Sequence, residues 1–516
     1  MRFLRRVTAL ILALAAAVVG AAVAMAPQYS GSDSRPDPVA TNGPIFQDAK
    51  GAAWPKPELA LVFTGEQQGY LEPCGCAGLE NQLGGLKRRH TMLKQLAAKG
   101  WPLAALDAGG QIKRFGAQAE VKFNRAADSL IELGYRGVGL SPADLRLDLV
   151  GALINLPESK NPITSANVGF FDFDELFSKR YRVAEVAGKR VGFTMILADK
   201  EAAQLGASND YTVEPAEKAL ATVAPQLAAK HCDIQVLLVY GDAKTAEALA
   251  TKFPQFDWVV AALGAQVPAL EAKPIAGTKA HLIEVGHKGQ YAVVIGLYPA
   301  GDDTPFRYQK VPLDHRFEDS PEMQRMLVGY QTELRTRGLK GLGVKPLPHP
   351  SADITRSQYA GSAACAECHE DEYEIWKNSP HSHATETLVK LQPARHFDPE
   401  CLSCHVTGWE PQKYYPYTGG YLDLQKSSLL TGNGCENCHG PAKRHIDIEN
   451  GDIEVSDQEL EAVYAALRLE IADNEGNQEK QHFGDVVKSC MQCHDLDNSP
   501  DFDFQAYWPE VAHGDD

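Results

Sequence analysis

The sequence predicts an α/β layered sandwich over residues 58–300, then a mainly helical, loop-rich domain over residues 359–516. Three observations carry this. Apolar runs of strand length alternate with helical stretches in the first part. The pattern Cys-x-x-Cys-His recurs four times in the second, with little regular periodicity between the repeats. Charge divides at the same place: residues 359–516 hold 30 Asp and Glu against 10 Lys and Arg, while the remainder carries +3. A chain of 516 residues with 44% hydrophobic composition is long enough for two or three domains.

In chain order, Arg2, Arg5 and Arg6 precede an uncharged apolar run from Val7 to Ala26. Residues 1–26 therefore read as an export segment, either a signal peptide cut after Ala22-Val23-Ala24 or a retained inner-membrane anchor. Residues 27–57, with several Pro, Gly, Ser and Asp, are expected to form a flexible tether.

Strands are expected at Leu59–Phe63, Pro102–Leu106, Val191–Leu197, Ile234–Tyr240, Trp258–Ala262 and Val293–Leu297. Helical stretches such as Leu86–Lys99, Phe123–Leu133 and Ala216–Lys230 lie between several of them. No glycine-rich phosphate loop follows the first strand. The segment Glu72-Pro73-Cys74-Gly75-Cys76 has one residue between its thiols and no histidine after them. A Cys74–Cys76 disulfide would be strained and reducible; the alternative pairs one of them with Cys232. His90, His231, His281 and His287 are expected on the surface or in satisfied hydrogen bonds. Residues 301–358 read as a connector: a helix opening at Ser320, then an extended Pro-rich spacer from Val344 to Pro350.

The four repeats are Cys365–Cys368–His369, Cys401–Cys404–His405, Cys435–Cys438–His439 and Cys490–Cys493–His494. Two thiols one turn apart can add to the two vinyl groups of a haem, and the adjacent imidazole reaches the iron from the same side. The expected cofactor is haem c, four copies covalently attached, with His369, His405, His439 and His494 as proximal ligands. Zinc bound by Cys pairs is the competing chemistry, but it leaves the histidine after every pair without a purpose. Ten of the 16 histidines fall after Tyr359. Beyond the proximal four, His381, His383, His396, His445, His482 and His513 remain for the far sides of the irons.

The segments Tyr359–His369, Trp376–Ala384, Cys401–Gly408, Gly434–Pro441 with His445, and Ser499–Phe504 with His513 resemble the cytochrome c-554 type of tetrahaem cytochrome. That resemblance implies periplasmic electron transfer through closely packed haems, mostly with two histidine ligands. It makes His381 or His383, His445 and His513 the expected distal ligands. Residues 58–300 more weakly resemble the 5′-nucleotidase and calcineurin-like metallophosphatases, on Leu61–Gly69, Gly84–Arg89, Leu106–Gly110, Leu133–Tyr135, Ser165–Val168, Phe256–Val259 and Gly286–Gly289. That family's metal ligands are missing here. Glu66 and Gln68 stand for an Asp and a His, Gly110 for a second Asp, and Ser141-Pro142-Ala143 for an Asn-His pair. Tyr240 and Gly264-Ala265-Gln266 replace later histidines. A two-metal hydrolase needs those carboxylates and imidazoles, so phosphatase chemistry is not expected.

The function expected from the sequence is an exported periplasmic electron carrier, with the α/β domain docking or positioning a partner. The acidic haem end excludes nucleic acid and suits redox partners with a basic docking face. The alternative is a reductase or oxidase of a small nitrogen or sulfur compound, with one iron left five-coordinate.

Overall fold

A computed structural model describes residues 45–48, 50–73, 83–114, 116–154, 156–299, 301–469, 484–495, 498–499 and 502–513. The expected export segment and the Cys74/Cys76 pair lie outside the described residues. Cys232 stands as a free thiol, so the expected pairing with Cys74 or Cys76 is not made. Among the described residues no helix is long and apolar enough to cross a membrane.

The α/β domain has two sheets packed face to face. The first runs in spatial order Phe306–Pro312, Tyr291–Leu297, Leu59–Thr64, Leu103–Asp107 and Gly137–Val138. The second runs Lys273–Pro274, His281–Glu284, Trp258–Leu263, Ile234–Asp242, Lys189–Leu197 and Arg182–Val186. Alternation along each strand decides which layer a side chain joins. Leu59, Leu61 and Phe63 enter the seam with Phe193, Leu238 and Val260 of the opposite sheet. Ala60 and Val62 face the other way, onto Met92, Leu93 and Leu96 of helix α1, Leu86–Ala98. The outer face of the second sheet is covered by Ala216–Ala228 and Ala243–Lys252 through Leu220, Val223, Leu227 and Leu249. The six expected strands are all present, and the layering is helix, sheet, sheet, helix.

Two expectations about the flanks are corrected. Phe46 and Trp54, in the supposed tether, are buried against Trp101, with centroids 5.3 Å and 6.2 Å from its ring. Aromatic burial outweighs the local turn composition there. The 301–358 connector is also more than a spacer. Phe306–Pro312 is an edge strand paired in register with Tyr291–Leu297. A later helix packs Met323, Leu327, Tyr330 and Leu334 on Val121 and Ala126. The packed-upon helix is α2, Ala117–Glu132; the later one is α3, Pro321–Gly341, broken at Gly338 where φ is 59°.

Beyond Tyr359 the chain is short helices and loops, as expected. Among the described residues, its main apolar cluster gathers six buried residues: Leu388, Leu402, Val406, Trp409, Tyr421 and Leu430.

Candidate functional site

Each Cys-x-x-Cys-His repeat closes into one helical turn. The second forms helix α4, Pro399–His405, and the third occupies Cys435–His439. In the first and fourth, the histidine N–H donates to the carbonyl of the first cysteine at 2.9 Å, His369 to Cys365 and His494 to Cys490. Positions i, i+3 and i+4 then share a face, which brings both thiols and the imidazole to one side.

The third repeat stitches the others together through the two residues between its cysteines. The buried Glu436 carboxylate accepts from the N–H groups of Ala360 at 2.9 Å, Gly361 at 2.8 Å and Ala442 at 2.8 Å. Asn437 donates to the Val406 carbonyl at 2.8 Å and accepts from Gly408 N–H at 2.9 Å. Thiols of different repeats consequently meet. Cys365 and Cys435, Cys493 and Cys404, and Cys438 and Cys490 are electrostatic neighbours.

A single cavity of about 1140 Å³ runs past the last three repeats, lined by Cys401, Cys404, His405, Cys438, His439, Cys490, Cys493 and His494. This exceeds the ~300–1,000 Å³ usual for one small ligand. Three proximal histidines are oriented through Nδ1: His405 to the Ala384 carbonyl at 2.8 Å, His439 to the Leu467 carbonyl at 2.9 Å, and His494 to Ser499 Oγ at 3.0 Å. That leaves Nε2 to face a metal, the arrangement metal-bound imidazoles adopt. Burial holds all three below the ordinary imidazole range, which favours the neutral form that can bind a metal. Among the described residues no group of three or more His, Cys, Asp or Glu side chains is gathered to hold a bare metal ion. The donors come in Cys-Cys-His sets around open volume, which fits haem c.

The distal candidates separate clearly. Two imidazoles sharing one iron, each nitrogen about 2 Å from it, place their ring centres roughly 6 Å apart. His381 lies 6.0 Å from His494, and His513 lies 5.8 Å from His439. His445 sits within electrostatic reach of His369, and its Nδ1 is sealed from solvent without a hydrogen-bond partner. His383 does otherwise: its side chain is 66% exposed, with Nδ1 3.6 Å from Glu386. Of the pair that the sequence left open, the cavity takes His381.

Sequence reasoning missed two contributors to the cavity. His349, in the Pro-rich spacer, lines it with its ring 4.6 Å from Tyr417. The α/β domain supplies a wall: Gln68 to Pro73, Lys113, Arg114 and Lys122. This wall is clamped to the second repeat. Arg114 reaches Glu400 at 3.3 Å, Lys122 pairs with the same carboxylate, and Arg395 pairs with Glu72. Asp398 caps α4 and accepts from Gln118 at 2.7 Å and Gln331 at 2.8 Å. No local signal could have shown this, because the ion-paired residues lie about 280 to 320 positions apart.

The substituted metal-ligand positions of the α/β domain also meet, in a buried polar cluster. Gln68 donates to Glu66 at 2.7 Å, and Tyr240 is an electrostatic neighbour of the same carboxylate. Asp144, which sequence reasoning did not single out, accepts from the backbone of Ser141 at 2.9 Å and Gln111 at 3.1 Å. Arg89, fully buried, stands 3.6 Å from Asp107. A Cβ at Gly110, where φ is 81°, would come within 2.1 Å of Glu66 Oε1, so the larger Glu66 excludes a second carboxylate there. His90 is taken by Ser320 at 2.6 Å and His287 by the Gln266 carbonyl at 2.8 Å.

Burial pushes Glu66 up to about 7 from 4.5, with Asp144 and Asp107 adding to the rise. Between those values the folded protein holds a proton that the unfolded chain has lost, so this group's contribution to stability falls as pH rises. Glu66→Gln should remove that fall and stabilise the protein at pH 8 by up to ~3 kcal/mol. Denaturant unfolding of parent and variant at pH 4.5 and pH 8 checks this; a stability difference independent of pH would contradict it.

Residues 364–440 match the family described as cytochrome c554 and c-prime. That match covers the first three repeats. A curated relative, cytochrome c-554 of Nitrosomonas europaea, is 34% identical over 98 residues. The aligned part is 16% of this chain and spans 39% of the length of that relative. Solved structures similar to the chain include the sulfate thiohydrolase SoxB of Thermus thermophilus, at 11% identity and TM-score 0.45. It matches over 57% of this chain and 63% of that one. A 5′-nucleotidase precursor from Thermus thermophilus follows at 16% identity and TM-score 0.45, over 64% of this chain and 66% of that one.

Proposed function

We propose that this chain is an exported periplasmic electron-transfer protein holding four covalently attached c-type haems. The observation that carries this reading is the convergence of the Cys-Cys-His turns into one connected series with imidazoles placed opposite the proximal ones. Each haem supplies one-electron redox chemistry, tuned by ligation, burial and hydrogen bonding. The chain's own residues hold the groups by thioether cysteines, fix the proximal rings through Nδ1 and cap the far sides with His381, His445 and His513. Cys368 and His369 of the first repeat are exposed, whereas the second repeat is covered by the α/β domain. Electrons thus enter or leave at the acidic first repeat, where a basic redox partner docks. The positioning role expected of the α/β domain is exercised on the second repeat of its own chain.

One observation favours the alternative, reduction or oxidation of a small nitrogen or sulfur compound. His405 has no imidazole ring contact given among the described residues, and His381, an electrostatic neighbour of it, lies at ligand spacing from His494 instead. An iron held by His405 alone keeps a position open for a small molecule.

Single Ala replacements test the ligand set. His381→Ala and His445→Ala should each retain four haems, because the cysteines are untouched, and each convert one low-spin centre to high spin. His383→Ala should leave the spectrum unchanged. A spectral change in the His383 variant, or none in the other two, would redraw the ligand set.

A further inference from the structure

The three proximal histidines that are oriented through Nδ1 do not share one kind of anchor. His405 and His439 use backbone carbonyls, those of Ala384 and Leu467. His494 uses a side chain instead, Ser499 Oγ at 3.0 Å. A carbonyl is fixed by the backbone, whereas a hydroxyl sits on a rotatable bond and can turn to another partner. The hydrogen bond alone therefore holds the plane of the fourth proximal ring less firmly than it holds the other two.

An aromatic side chain supplies the difference. Phe502 lies face to face with His494, ring centres 4.4 Å apart and planes 16° from parallel. Tyr507 stacks on Phe502 in turn, at 5.8 Å and 7°. The backbone ties these groups to the histidine they touch. Ser499 N–H donates to the carbonyl of Asp495, the residue after His494, at 2.7 Å, and Phe502 N–H donates to the Ser499 carbonyl at 3.0 Å. Across from His494 stands His381, its ring 6.0 Å away and turned by 53°. An iron-bound imidazole can rotate about its bond to the metal. The angle between two axial rings then sets the anisotropy of a low-spin ferric signal, and groups outside the ligand shell fix that angle and the ligand's basicity.

We propose that Phe502 and Ser499 are positioning residues for the haem attached at Cys490 and Cys493: the stacked ring fixes the plane of His494 against that of His381, and the hydroxyl sets its basicity. This rests on the haem reading above. It gives the C-terminal segment two irons to serve, because the same stretch clamps the proximal ring of the fourth repeat and brings His513 to His439.

The test is electron paramagnetic resonance of the oxidised full-length holoprotein, with haems counted per chain and midpoint potentials titrated. Phe502→Leu removes the ring and leaves the cysteines, so one low-spin signal should shift its g values while the others stay. That signal should be the one that His381→Ala converts to high spin, since His381 faces the same proximal ring. Phe502→Tyr keeps the stacking face and should return the parent signal. Ser499→Ala removes the acceptor at Nδ1, makes the imidazole a weaker donor to iron and should raise one midpoint potential. A haem-loaded Leu variant with the parent spectrum would overturn the assignment, as would a Tyr variant that shifts as far as Leu. Equal changes at every haem would overturn it too, since they report general loosening. If the Leu variant loses a haem, Ser499→Ala decides, and an unmoved potential there rejects the proposal. Fewer than four haems in the parent would instead count against the haem reading itself.

Discussion

Replacing Arg89 with methionine should destabilise the α/β domain by roughly 3–5 kcal/mol, because it removes one partner of a buried ion pair. Arg89, in the first turn of α1, and Asp107, at the end of the strand Leu103–Asp107, are both 0% exposed and 3.6 Å apart. The guanidinium also donates to Thr64 at 3.4 Å and to Gln67. Without it, Asp107 keeps hydrogen bonds from Thr64 at 2.6 Å and Gln111 at 2.7 Å but loses the charge facing it. Adding Asp107→Asn to the Arg89 variant should recover a large part of the loss, since no charge then remains unpaired. Denaturant unfolding of the three proteins checks this. A single-variant cost below ~1 kcal/mol would mean that the cluster is wetter or more adaptable than its burial indicates.

Asp398→Ala should cost about 3–5 kcal/mol and disturb the second repeat. The carboxylate caps α4 by accepting from Glu400 N–H at 3.1 Å, and caps of this kind contribute ~1 kcal/mol. It also satisfies two amides, the half-buried Gln118 through one oxygen and the buried Gln331 through the other, each costing ~1–3 kcal/mol if left unmet. Burial and the adjacent Glu400 raise the Asp398 carboxyl, so some of that loss is offset by removing an unfavourable charge. Asp398→Asn keeps the oxygen that caps α4 and accepts from Gln118, and its NH2 can donate to Gln331 Oε1 once that amide turns over, so it should cost less than Ala. Equal destabilisation by Ala and Asn would show that charge, not hydrogen bonding, holds the domains together at this point.

These two sites mark how far the sequence is legible. The haem-attachment turns are local, one residue to the next three or four, so their spacing alone reveals them. The inner strands are legible for a similar reason: Leu59–Phe63 and Val236–Val239 are apolar throughout because the other sheet covers one face and helices the other. The edge strand Phe306–Pro312 is not, since its half-buried run of Arg, Tyr, Gln and Lys carries no apolar signature. His381 and His383 look equivalent in sequence. They diverge because a single 3₁₀ turn, Pro380–His383, sends one ring into the cavity and the other to solvent. The basic wall at Lys113 and Arg114 joins parts of the chain too far apart for any local pattern to link. The same holds for Asp144, whose role depends on backbone donors brought to it by the fold.

The most direct measurement is the intact mass of the purified protein together with its haem content by the pyridine method. The account predicts four covalently attached haems per chain, released by neither acid nor organic solvent. A mass without them, or one explained by bound zinc, would contradict the central claim.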